Sequence, residues 1–276
     1  MHRKLMLIWL SLVFWPIPPF PSDAAQRPAQ EDAVFELRLG LGSSSCVDRW
    51  QALEKYLRSS GDRLRPVRQA LRTASQPMRE RLLLLVKFLE EDAKAGPRIQ
   101  AWEREFTQIA AIPEEGKRSA GIEGLRQRLL GVISNPREPF SARLDAASFM
   151  AILVTEFAPP LTASWAREFP RLLESEDPPV RLVGAMLYAR GMLFNAQAPQ
   201  MGAVMPVLIK GLKGGSFEER LRAQRALFHL SSVSAEQACV DPTDPRPQRA
   251  EGIRQWEVWW AANKAKQARK KVPQHF

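Results

Sequence analysis

The sequence predicts an all-α protein, an α-solenoid of stacked helix pairs, on three observations. Only 2 tyrosines occur in 276 residues and Val/Ile/Thr runs are scarce, while Ala, Leu, Arg and Glu dominate, which favours helix over strand. Apolar residues recur at helical spacing between short Pro/Gly breaks from Cys46 onward. Three segments also lay over one another: ARLDAASFMAIL (142–153), VRLVGAMLYARG (180–191) and ERLRAQRALFHL (219–230). Arg-Leu recurs as Arg143-Leu144, Arg181-Leu182 and Arg220-Leu221, and a small residue follows at Ala146, Gly184 and Ala223. FPRLLES (169–175) matches MPVLIKG (205–211) in the same way. A period near 38 residues with two helices per period marks an array in which each pair buries its apolar face only by stacking on the next.

The elements follow in order. MHRK is a basic start, Leu5–Phe14 an apolar run, and PIPPFPSDA a breaker ending in small residues. This is the layout of a secretory signal peptide over 1–24, cut ahead of Ala25. A ten-residue helix rises only about 15 Å, short of a bilayer core of about 30 Å. An uncleaved anchor with Trp15 at the interface is the alternative. Residues 25–45 read as a flexible leader. Helices are then expected at 46–59, 63–74, 77–94, 97–111, 117–134, 139–157, 161–174, 178–195, 199–213, 216–233 and 247–270. Residues 46–134 keep only the helix–turn–helix rhythm and read as divergent helical repeats, whereas 139–233 carries the clear repeat. The small residues permit neighbouring helices to approach within about 8–10 Å.

In IRQWEVWWAANKAKQARKK (253–271), Ile253, Trp256, Trp259 and Trp260 share one arc of a helical wheel, with Arg254 and Glu257 outside it. The reading is a closing helix over 247–263 that covers the open end of the array against 216–233. A membrane foot is the alternative. The basic tail 264–276 carries Lys264, Lys266, Arg269, Lys270 and Lys271 around the wheel. It is expected to be a solvated end whose removal costs little, or else a tether to anionic polymer or lipid.

The formal net charge is +10; removing 1–24 takes away Arg3, Lys4 and Asp23 and leaves +9. That balance favours acidic partners. Export argues against nucleic acid and leaves an acidic protein, an anionic polysaccharide or lipid. Export also permits a disulfide between Cys46 and Cys239. In an elongated array these residues would stand far apart, so two unbridged cysteines are expected, with the bridge as the alternative. Cys/His spacing for a metal is missing, and no catalytic motif or cofactor loop is recognisable. GLGSSSC (40–46) reads as a linker and helix cap, EEDAK (90–94) as a solvated acidic face, and His229 as a core-edge histidine. The chain is therefore expected to be non-enzymatic, without metal or cofactor.

ESEDPPVRLVGAMLYA (174–189) resembles a HEAT repeat: an acidic turn, Asp-Pro, then Val-Arg and a small-residue helix. The resemblance implies a HEAT-like α-solenoid of antiparallel helix pairs. It also implies a ladder of Asp177 and Arg181 joining successive repeats, with Arg143 and Arg220 in the same register. The end of the chain, with Asp241, Trp256, Trp259-Trp260 and Asn263, is similar to the close of HEAT-repeat proteins exported by bacteria. The role implied is an extracytoplasmic, periplasmic or secreted scaffold that binds another protein. An envelope adaptor working through the basic tail is the runner-up.

Overall fold

The computed structural model describes residues 23–59, 61–190 and 201–270, with side chains from Asp32. All but the last two residues of the expected signal peptide (1–24), the end of the helix expected at 178–195, the start of the one expected at 199–213, and Lys271 lie outside the described residues. Every regular element among the described residues is helical. No helix there is long and apolar enough to cross a membrane.

The segment expected as a flexible leader is instead helix α1, Asp23–Gly42. Val34, Leu37 and Leu41 recur at helical spacing and are buried. The Gly-rich stretch read as a linker supplies the contact, because Gly40 lets α1 sit directly on Ala52 of α2, Cys46–Arg58. Ser45 caps α2 by accepting from the Asp48 N–H, as the Ser run suggests. Next come α3, Leu64–Thr73, and α4, Met78–Asp92. These four helices enclose a core of Trp50, Leu53, Tyr56, Leu82, Leu85 and Leu89.

Six longer helices build the larger core: α5 Ala95–Ala110, α6 Glu115–Ser134, α7 Phe140–Ile152, α10 Pro178–Ala189, α11 Met201–Gly211 and α12 Phe217–Ser231. Between α7 and α10 the chain passes through a π turn (Leu153–Phe157), α8 (Pro159–Thr162), a 3-10 turn (Ala163–Arg167) and α9 (Glu168–Glu174). The sequence suggested one helix at 161–174. The irregular geometry seats Trp165 and Phe169, both essentially fully buried. The last helix, α13, is Arg246–Gln267.

The three helices that carry the Arg-Leu repeat lie together. α10 packs against both α7 and α12, and α7 also touches α12. Gly184 shows why the small residue matters. A Cβ there would stand 2.7 Å from the Leu173 backbone N and 2.9 Å from the Leu172 carbonyl carbon. Gly184→Ala is therefore expected to cost about 1–3 kcal/mol as overpacking, measured by urea unfolding. Full stability in the variant would show that α9 yields freely.

α12 belongs to both cores. Its start, Phe217 and Leu221, packs among the N-terminal helices, and Ala223, Ala226, Leu227 and Leu230 join the larger core. A capping box between Ser216 and Glu219 fixes its first turn. The joint carries ring pairs at 5.9 Å between Phe88 and Phe217 and 5.4 Å between Trp50 and Phe228. Arg225 closes it with a 2.5 Å pair to Glu54.

That joint corrects the expectation for the cysteines. Cys46 and Cys239 are bridged, with Cα atoms 6.1 Å apart. The expectation of separated ends assumed an extended array. Here α12 brings the N-terminal helices beside the loop that follows it, so the start of α2 meets residue 239.

Candidate functional site

The buried charges gather at loops and helix starts. Arg49 is the fourth residue of α2, and its Nη1 donates to the carbonyls of Ser43 (2.8 Å) and Ser44 (2.9 Å). Arg220, fourth in α12, repeats this on Gly214 and Gly215, both at 3.0 Å. Arg181, fourth in α10, donates to Ser175 O at 2.5 Å. Arg143, fourth in α7, donates to Glu138 O at 3.2 Å. Arg118, fourth in α6, donates to Ile112 O at 3.1 Å. A helical side chain leans toward the N-terminus of its own helix, so an arginine at this place reaches back over the preceding loop. Its forked donors then occupy carbonyls that would otherwise be left unpaired.

The residues of the expected ladder take these positions. Asp177 reaches back to Arg143, 3.5 Å from its Nη1, while Arg181 serves its own turn. Arg220 has no such aspartate in its turn. It instead adds a 3.0 Å bond to Pro242 O. Burial, and next the nearby Arg249, push its guanidinium down to about 10. Arg181→Ala is expected to cost about 1–3 kcal/mol, read from thermal and urea unfolding, because the turn loses its clamp. A loss below a few tenths would place Arg181 among ordinary surface residues.

Sequence reasoning missed the most charged part of this framework. Arg49 pairs with Asp241 and, at 2.8 Å, with Asp244. Arg81, fourth in α4, holds Leu41 O and lies 3.0 Å from Asp244. Asp241 also accepts from the Thr243 N–H (2.8 Å) and hydroxyl (2.6 Å). Burial, with Asp241 adding to it, lifts the Asp244 carboxyl above the ordinary carboxylate range, against the pull of Arg49 and Arg81. The signal was present in the recurrence of arginine three residues after a helix start.

In the closing helix Ile253, Trp256 and Trp260 are buried and Trp259 is half-buried. Trp256 is 0% exposed; its Nε1–H donates to Gln224 Oε1 on α12 at 3.2 Å, and its ring meets Phe228 at 5.5 Å. Asn263 donates to Trp259 O at 2.8 Å. Gly252 lets α13 lie against the Cys239 carbonyl, where a Cβ would collide.

Lys264, Lys266, Arg269 and Lys270 are exposed. The backbone beneath them is engaged, however, which corrects the expectation of a dispensable tail. The Met201 N–H donates to Lys270 O at 2.8 Å and the Gly202 N–H to Ala268 O at 3.1 Å, so the end of α13 caps the start of α11. Truncation after Asn263 is expected to cost about 1–2 kcal/mol. Neutralising the four cations with glutamine should leave unfolding almost unchanged. Equal losses in the two variants would assign the effect to charge.

Among the described residues no cluster of metal-ligating side chains occurs. The acids of EEDAK are each paired: Glu90 with Arg68, Glu91 with Lys94 and Asp92 with Arg63. His229 is exposed. No family model, curated protein or solved structure matches the chain.

Proposed function

We propose that the chain is an extracytoplasmic scaffold that presents a rigid helical surface to another protein and catalyses no reaction. Its helix pairs over 139–233 are read as HEAT-like repeats in a strongly curved solenoid. The contacts of α10 with both α7 and α12 support that reading, as does the 38-residue recurrence. The observation that carries the scaffold role is the use made of buried charge. Arg49, Arg143, Arg220, Arg249, Asp241 and Asp244 are all buried, and their bonds run to loops, helix ends and one another. The disulfide supports an oxidising compartment, and the apolar N-terminal run supports export.

Photo-crosslinking in an exporting host tests the role, with a benzophenone side chain placed singly at exposed Gln69, Gln108 and Val258. The expected result is a discrete protein adduct from one face only. Absence of any adduct from all three would sink the scaffold reading. The processed N-terminus, read by mass spectrometry, is expected at Ala25; intact Met1 would favour the anchor. A second reading, an adaptor for anionic lipid or polymer, rests on the exposed cations Lys264, Lys266, Arg269 and Lys270, with Lys271 beyond the described residues. Loss of envelope association on their neutralisation, with the fold intact, would promote it.

A further inference from the structure

We infer that the outer face of α3 is the docking surface and that it takes an extended acidic peptide segment. This deepens the scaffold reading and rests on it. α3 turns Val67 and Ala70 into the N-terminal core. Arg65, Arg68 and Arg72 stand at i, i+3 and i+7 on the opposite side, all exposed, with Gln69 beside them. An open groove of about 510 Å³ runs along this face, lined by these four residues with Asp62 and Leu64.

The surrounding acids do not neutralise the ridge. Asp62 Oδ1 is occupied at the start of the helix, accepting from the N–H groups of Leu64 (3.0 Å) and Arg65 (3.2 Å). Glu90 reaches one nitrogen of Arg68 at 2.7 Å, which leaves most of that guanidinium's five donors toward solvent. Arg65 and Arg72 make no ion pair with a described carboxylate. The contrast with the junction arginines is chemical: Arg49, Arg81, Arg98 and Arg126 are each committed to acids between helices. On α3 the arginines face outward as a set.

The ridge also sets the partner's chemistry. All three cations are arginine, whose planar fork matches a carboxylate in two bonds and suits directed recognition better than a diffuse field of lysines. Arg65 and Arg72 lie two turns apart on nearly the same azimuth, about 10.5 Å along the axis. An extended segment in the polyproline II conformation rises about 3.1 Å per residue with three residues per turn, so carboxylates three residues apart share one face about 9.3 Å apart and meet both guanidinium groups in one pass. Gln69 sits between them and offers a donor and an acceptor to the intervening peptide bond. A membrane surface would engage a broad convex patch and would not need that spacing.

The test uses fluorescein-labelled (Glu-Gly-Ser)4 with the full chain after signal removal, read by anisotropy in low-salt buffer. The control is a peptide of the same composition with its glutamates consecutive. The repeat peptide is expected to bind more tightly than the control and to release as salt is raised. R65Q/R68Q/R72Q should weaken binding at least about tenfold. R65Q/R72Q, which keeps the Arg68–Glu90 pair, should retain the native melting curve and most of that loss. K264Q/K266Q/R269Q/K270Q should change binding less than about twofold. An equal loss in the tail variant, indifference to glutamate spacing, or α3-dependent sedimentation on phosphatidylglycerol vesicles without peptide binding would each overturn the proposal. None of these results bears on whether a crosslinked partner exists elsewhere on the chain, so the scaffold reading stands or falls separately.

Discussion

Trp256→Ala is expected to lower the unfolding free energy by about 3–5 kcal/mol, a large share of the total for a single domain. The side chain is 0% exposed and makes ring contacts with Phe228 at 5.5 Å and Trp259 at 5.9 Å. Truncation leaves a cavity between α13 and α12, and these two helices cannot simply close on it. Gly252 already holds α13 against the Cys239 backbone, and the carbonyls of Ala268 and Lys270, just past α13, are fixed to the start of α11. The variant also strands Gln224, itself 0% exposed, whose Oε1 accepts the indole N–H and whose Nε2 has no partner among the described residues. Trp256→Phe separates the two causes. It restores most of the volume without the donor, so it should lose only about 1–2 kcal/mol. Urea unfolding followed by circular dichroism measures both, and equal losses would mean that the hydrogen bond outweighs the cavity.

The second large effect is expected from the cysteines. Replacing Cys46 and Cys239 with serine should destabilise the protein by about 3–5 kcal/mol, because the bridge closes a loop with a sequence separation of 193 and long loops lose the most on release. The double variant should nevertheless fold. Arg49 and Arg81 still reach Asp241 and Asp244, and Arg225 still reaches Glu54. The wild-type melting temperature is expected to fall with dithiothreitol and the variant's to stay fixed. Two thiols alkylated in the native protein without reductant would refute the bridge.

Local structure was legible in this chain wherever one face of a helix meets a core. The starts of α2, α7, α10 and α12 follow from apolar spacing and from Ser, Asp and Pro there, whereas the helix expected to run to 157 ends at Ile152 and passes into a π turn. The aromatic arc of α13 points inward for the same reason. What stayed hidden is non-local. α1 was unreadable because Gly40 and Gly42, which look like a linker, are where it crosses α2 and approaches Met78. Nothing in a repeat pattern says how the helix pairs are placed in space, so the meeting of residue 46 with residue 239 was invisible. Of the candidate site, the repeated arginines could be read as a set, but their partners could not. Arg143 and Asp177 lie 34 positions apart, and Arg49 and Asp241 192. The ridge of Arg65, Arg68 and Arg72 is spelled out in the sequence, but an exposed arginine stripe looks like any solvated face until the partners of the surrounding arginines are known.

The bridge between Cys46 and Cys239 also decides how the molecule carries tension. A pull applied ahead of residue 46 and beyond residue 239, as between an N-terminal tether and a load on α13, runs through one covalent bond and leaves the intervening helices off the load path. Those helices, the α3 ridge included, are mechanically shielded, whereas α1 and α13, which lend Val34, Leu37 and Leu41 and Ile253, Trp256 and Trp260 to the two cores, stay on the load path. The same pull on the reduced protein would have to peel α2 from α12 and unzip the Arg49–Asp241–Asp244 cluster before lengthening the chain. In single-molecule stretching the oxidised form should therefore extend only by its short outer segments, and the reduced form by the whole intervening contour.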